Sequence, residues 1–352
     1  MRRTICLVIV AASLLVRAPA HADELLFDRF REYVEALRTQ AGIPGLAAAI
    51  VGRADILWEG GFGQQDVERG IATRADTPFH LDGTTQVFTA AIVLRCVEEG
   101  RLSLSDPIGQ YRRNAPDPNA TLRQLLTHTT GTAEAPTFAY DPGRLAPLAS
   151  AIRACGIDSY RETMAGLVER LAMIDAVPGP DITLLTPPAE GIPTLAAATH
   201  YGDVLARLAT PYAVDRRGRP VPSEYSAETL TPAGGLIASV RDVAQFDLAL
   251  RKGTLLRDDT LAAAWTGTAG RLGQSLPHGI GWFVQSYKGE RVVWQFGVTD
   301  DGASSLLVTL PARGTSMILL ANSDGLVEPF DLSNGDVTLS PFARLFLGLF
   351  VR

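Results

Sequence analysis

Thr84 and Thr85 open a long apolar run that closes at Gly100, so two hydroxyls stand where a buried helix would begin. A hydroxyl there becomes a nucleophile only when a base lies within hydrogen-bond reach, and lysine or histidine usually supplies it. The chain has two lysines, Lys252 and Lys288, one ending a helical pattern and the other in the turn between two strand-like runs. Both read as solvated surface residues. His128, within Thr127-His128-Thr129-Thr130-Gly131, reads as structural, and His200 and His278 have no recognisable acid or nucleophile partner. Without a base, Thr84 and Thr85 read as helix-start residues whose hydroxyls cap backbone N–H groups.

Cysteine offers little more. Cys6 falls in an N-terminal leader, which leaves Cys96 and Cys155, each in a helix-like segment. They read as two buried free thiols, because nothing in the sequence brings their Cα atoms within disulfide reach, about 4.4–6.8 Å. The spacings of zinc ligands are absent, and no cofactor is called for.

Three stretches nevertheless form a pattern. Residues 77–90, TPFHLDGTTQVFTA, are similar to the block TxFRIGSxTKxFTA, and residues 121–131, TLRQLLTHTTG, to TIRHLLTHTSG. Leu319-Leu320-Ala321-Asn322-Ser323 ends a strand-like run in Asn-Ser. Gly42-Ile43-Pro44-Gly45, residues 100–108, Ala233-Gly234-Gly235-Leu236 and Gly279-Ile280-Gly281-Trp282 support them in the same order. On these residues the chain resembles the serine β-lactamase and penicillin-binding protein family, in particular class C β-lactamases and their esterase relatives. The resemblance implies an α/β fold: an antiparallel sheet flanked by helices, beside a mostly helical domain, with the active cleft between them.

In that family a serine opens the helix, and a lysine three residues later lies on the same face as its base. Here the serine's place is taken by Gly83 and the lysine's by Gln86, a neutral amide that is no useful base near neutral pH. The second family motif, Tyr-x-Asn, maps onto Tyr140-Asp141-Pro142 and keeps only the tyrosine, which reads either as a core residue or as part of the cleft wall. The third, Lys-Thr-Gly or His-Thr-Gly, falls in WQFGVTDDG, where Val298 replaces the cation, Thr299 survives and Asp300 replaces the glycine. His80 stands in place of the first motif's arginine.

Three motifs degraded together imply that ordinary acyl transfer is closed, and if any side chain keeps a catalytic part it is Tyr140. Backbone N–H groups near Gly83 could still polarise an oxygen. Asp82, Asp141, Asp300 and Asp301 each read most simply as turn or capping residues. Gathered in one cleft, they would favour neutral or cationic ligands. The cleft that the resemblance implies comprises Asp82, Gly83, Thr84, Thr85, Gln86, Tyr140, Asp141, Thr299 and Asp300.

The elements that must position these residues are legible in outline. Residues 25–41 carry apolar side chains at helical spacing, stopped by Gly42. Residues 45–51 and 56–63 read as a hairpin about the turn 52–55, and residues 84–99 as a buried helix. From 107 to about 230 the chain is helical and loop-like, with Pro178, Pro180, Pro187, Pro188 and Pro193 close together. Ser239-Val240-Arg241-Asp242 suggests a capping box opening a helix through Leu250, and residues 280–287, 291–297, 304–310 and 315–321 are four candidate strands. The expected division is an α/β part over about 23–78 and 232–352 and a helical part over about 79–231.

Arg2, Arg3, the apolar run 5–16 and Ala20-His21-Ala22 read as a secretory signal ending at residue 22. No later run is long enough to span a bilayer. Without that leader, 29 basic side chains face 38 acidic ones, which disfavours nucleic acid and anionic membranes as partners. The expected protein is a periplasmic or secreted, catalytically degenerate relative that binds a small-molecule or peptide ligand or serves as a scaffold. The rival is a hydrolase, acyltransferase or repurposed enzyme using reassigned residues.

Overall fold

A computed structural model describes residues 19–132, 134–156, 158–183, 195–215, 217–225, 229–300 and 302–351. Its organising element is β1 (Gly45–Val51), buried along its whole length. Successive side chains of a strand point to opposite faces, so a strand with no polar position needs cover on both. Leu46, Ala48 and Ile50 enter one apolar cluster, while Ala47, Ala49 and Val51 enter another.

Around β1 the sheet adds β2 (Ile56–Asp66), β3 (Ile71–Ala72), β4 (Phe283–Tyr287), β5 (Glu290–Thr299), β6 (Ala303–Leu310) and β7 (Thr315–Ala321). The strand order is β4-β5-β6-β7-β1-β2-β3, and each neighbouring pair is antiparallel. β1 sits opposite β7 with Leu46 facing Ala321, so N- and C-terminal segments share one sheet. The expected hairpin and all four C-terminal strands are present, with ends shifted by one to three residues.

Helices cover both faces. α1 (Pro19–Gln40) contributes Phe30 and Val34 to one core. α2 (Thr85–Glu98), α3 (Leu148–Cys155) and α4 (Val240–Arg251) pack in the other, and α5 (Pro341–Phe350) returns to the first through Phe342 and Phe346. The capping box before α4 is formed: Ser239 Oγ accepts from the Asp242 N–H, and the Asp242 carboxylate accepts from the Ser239 N–H at 2.9 Å. It satisfies helix-end donors that would otherwise be orphaned.

α1 begins at Pro19, earlier than expected, and takes in the last residues of the anticipated leader. The leader's Arg2, Arg3 and apolar run lie outside the described residues, as do Pro187, Pro188 and Pro193. The segment read as helix and loop also contains short antiparallel pairs, Thr129–Thr132 with Ala135–Phe138 and Tyr212–Val214 with Pro220–Pro222. Three or four residues are too few to establish an alternating pattern, which is why they escape sequence reading. Among the described residues no helix is long and apolar enough to cross a membrane.

The expectation of two free thiols is overturned. Cys96 and Cys155 are joined by a disulfide with their Cα atoms 6.0 Å apart. α2 and α3 pack side by side in one core, and this brings together residues that sequence alone leaves 59 positions apart.

Candidate functional site

A cleft of about 590 Å³ opens where the start of α2 meets the end of β5. Its wall includes Asp82 and Gly83 from the single 3-10 turn Asp82–Thr84 that leads into α2, and Phe296, Gly297, Val298, Thr299 and Asp300 from the β5 side. Tyr140 and Pro142 close one side, and Thr229, Thr231, Ala233 and Gly234 the other.

The turn before α2 is built around close backbone contact. A Cβ on Gly83 would lie 2.5 Å from the carbonyl oxygen of Phe296 and 3.2 Å from the Gly297 Cα. A Cβ on Gly297 would in turn collide with the Leu81 carbonyl and the Gly83 nitrogen. Two residues without side chains thus let strand and helix start meet backbone to backbone, a contact that any other residue type would force apart. At the position where the family resemblance implies a nucleophile there is no room for a side chain.

Asp82 adopts φ +44°, a left-handed conformation that aspartate tolerates better than most residues. The residue is 6% exposed. Thr299 hydrogen-bonds one carboxylate oxygen, and Oδ2 has no partner. Burial raises its pKa to about 6, with the Thr299 bond opposing part of the rise.

Gln86 is fully buried and serves as the hub of a hydrogen-bonded chain. The Asp141 N–H donates to His128 Nδ1 at 3.2 Å, so the imidazole proton resides on Nε2. Nε2 then donates to Gln86 Oε1 at 2.9 Å, and Gln86 Nε2 donates to the Tyr140 hydroxyl oxygen at 2.9 Å. Tyr140 accepts in this chain and keeps its own proton for another acceptor. Burial first of all, with His278 and Arg144 acting in the same direction, holds His128 well below the ordinary histidine range. Burial also raises the Tyr140 phenol, with the Gln86 bond opposing. The chain is therefore neutral near pH 7 and can orient a donor, but it has no base in it.

Of the residues drawn from the sequence, Asp82, Gly83, Tyr140, Thr299 and Asp300 come together on the cleft wall. Thr84, Thr85, Gln86 and Asp141 do not line it. Ser305 donates its proton to the Leu81 carbonyl, which leaves Thr84 as the donor to Ser305 Oγ at 2.7 Å. Thr85 Oγ1 accepts from the Leu236 N–H at 3.3 Å. Asp141 is exposed, caps the Gly143 N–H and faces a neighbouring cavity beside Arg144. Asp301 lies outside the described residues. Lys252 bonds the Ala54 carbonyl, and Lys288 lies over the Tyr287 ring, both away from the cleft. Among the described residues, no three His, Cys, Asp or Glu side chains gather as a metal site would require.

Sequence reasoning missed Phe296 and Gly297, which set the floor, and the turn Thr231–Gly234, which faces Asp82. Ala233-Gly234 was legible as a family segment, and its small residues were the available signal. His278 was also missed as a neighbour of the site: its buried ring lies 4.8 Å from that of His128.

The family profile described as Beta-lactamase matches residues 30–174 and 179–338. Among curated proteins, Protein flp of Staphylococcus aureus (strain NCTC 8325 / PS 47) is 30% identical over 95 residues, covering 25% of this chain and 19% of flp. The match thus spans about a fifth of that relative's length. The fold is similar to that of the octameric penicillin-binding protein homologue from Pyrococcus abyssi, with a TM-score of 0.71 at 19% identity, covering 92% of this chain and 77% of the other. It is also similar to the D-amino acid amidase from Ochrobactrum anthropi SV3, with a TM-score of 0.69 at 17% identity and coverage of 92% and 98%. With the profile covering most of its length and the antiparallel sheet between helices in place, the chain belongs to the β-lactamase family.

Proposed function

We propose that this protein keeps the family cleft as a ligand-binding site and has given up serine-dependent acyl transfer. The observation that carries this reading is the 2.5 Å approach of the Phe296 carbonyl to the place of a Gly83 Cβ. The absence of a base supports it, since Gln86 is a neutral amide locked between His128 and Tyr140. The protein works in the periplasm or outside the cell, a reading that rests on the leader-like residues 1–22 and suits the Cys96–Cys155 bridge, a bond that persists in oxidising compartments. Incubation with a chromogenic cephalosporin, a chromogenic ester and a fluorescent penicillin is the test. Neither turnover nor a covalent adduct is expected, and either one abolishes the reading.

A second reading, an enzyme with reassigned residues, is favoured by one observation: the hydroxyl of the cleft-lining Tyr140 accepts from Gln86, itself held by His128, so its own proton is not used in that chain. A hydrolase, acyltransferase or repurposed catalyst would use it as a proton donor. The structural neighbour from O. anthropi is a D-amino acid amidase complexed with L-phenylalanine amide, so a panel of amides and esters is the natural screen. Activity that disappears in Tyr140→Phe would establish this alternative.

A further inference from the structure

We propose that the cleft recognises its ligand through a single ammonium group, held by the Asp82 carboxylate beside the Tyr140 and Phe296 rings, on a molecule with an apolar remainder and no carboxylate. This rests on the reading of the cleft as a binding site and names what it binds.

Charge comes first. Two carboxylates, Asp82 and Asp300, line the cleft, and none of its described lining residues is basic. Val298 occupies the place where the family resemblance implies a cation, and it is aliphatic. An anionic ligand entering here would lose hydration and meet only like charge.

Asp82 supplies the specific anchor. It lines the cleft while being 6% exposed, and after Thr299 takes one oxygen the other is left without a partner. Oδ2 is an unmade hydrogen bond closed to solvent, so a ligand N–H completes it only as the carboxylate turns toward the cleft that Asp82 lines. An ammonium also neutralises the buried charge, in a setting that salt screens far less than the surface.

The rings point to the same chemistry. Tyr140 and Phe296 both line the cleft with centroids 5.2 Å apart, and aromatic faces attract cations most strongly when water is excluded. A metal ion would need more ligands than these, and no three candidate ligands cluster among the described residues. The cleft volume of about 590 Å³ suits a small organic molecule, whose apolar part would lie against Phe296, Val298 and Ala233. The free proton of Tyr140 would serve a neutral acceptor beside the amine, such as a hydroxyl or an amide carbonyl.

The test uses three probes of matched shape: 2-phenylethylamine, neutral 3-phenylpropanamide and anionic 3-phenylpropanoate. Isothermal titration of the full chain is expected to give at least about tenfold tighter binding of the amine than of the amide, with no binding of the propanoate. In Asp82→Asn the amine and the amide should bind alike. Should that variant fail to fold, the unaltered protein still answers, because amine affinity should fall at least about fivefold between roughly pH 7.5 and pH 5 while amide affinity stays flat. The groups acting on Asp82 are Thr299 at the end of β5 and Tyr225, which packs on His80, a histidine that burial keeps neutral over this range, while Asp300 just beyond β5 lines the same cleft. Equal affinities for amine and amide, tight capture of the propanoate, or no binding of any probe each overturn the proposal. A covalent adduct with penicillin would remove the non-acylating reading and leave amine recognition standing, whereas equal affinities would do the reverse.

Discussion

The carbonyl oxygen of Phe296 lies 2.5 Å from where a Cβ on Gly83 would be, closer than real side-chain carbons approach backbone oxygen. Substituting glycine here therefore does more than supply a missing group, because it pushes β5 away from the start of α2. Gly83→Ala is expected to cost about 1–3 kcal/mol, the usual range for overpacking, read as a lower urea midpoint. Gly83→Ser combined with Gln86→Lys should restore the residue types without the geometry. A chromogenic cephalosporin incubated with that double variant should show no turnover above its uncatalysed rate.

Gln86→Leu removes the hub and leaves the buried Nε2–H of His128 without an acceptor. A stranded buried donor costs about 1–3 kcal/mol, which chemical denaturation will measure. Tyr140 should also lose its fixed position, visible as a shift in its aromatic resonances.

Asp82 titrates in the folded state at about 6, above the 3.8 of an ordinary aspartate. Between those values the folded chain holds a proton that the unfolded chain has released, so this group's stabilising contribution is present at low pH and lost as pH rises through about 6. Asp82→Asn should accordingly raise the melting temperature at about pH 7.5, with a gain that shrinks toward about pH 4. A gain that is constant with pH would refute the assignment.

His80 has the opposite sign. Both its ring nitrogens are buried without partners, and burial lowers its pKa to about 4. The unfolded histidine binds its proton first on acidification, so stability is present above about 6.5 and lost as pH falls toward 4. His80→Phe keeps a ring to stack on Tyr225 and should flatten that acid loss, as compared in denaturation curves at about pH 7 and about pH 4.5.

The Cys96–Cys155 bridge closes a loop of 59 positions. Chain-entropy arguments give about 4 kcal/mol for a loop of that length. Reduction under native conditions, or the paired substitution Cys96→Ala with Cys155→Ala, should lower the melting temperature clearly and slow the chain on a non-reducing gel.

Much of the frame was legible because its signals are local. The all-apolar run of β1, the compact strand-like runs at the C-terminal end and the Ser239–Asp242 box each carry their pattern within a few residues. The cleft was legible only where it coincides with a family motif, at Asp82, Gly83, Tyr140, Thr299 and Asp300. Thr84, Thr85 and Gln86 followed that motif in sequence, yet helix geometry turns them toward Ser305, Leu236 and His128 instead. The disulfide and the Phe296 carbonyl could not be read at all, since both are meetings of segments that only the packed fold brings together.

The paired glycines at 83 and 297 also bear on how the cleft wall can move. Strand and helix start touch there through backbone alone, so neither can be displaced without carrying the other with it. The cleft wall on that side therefore moves as one body, and any ligand that shifts β5 also shifts the turn that carries Asp82.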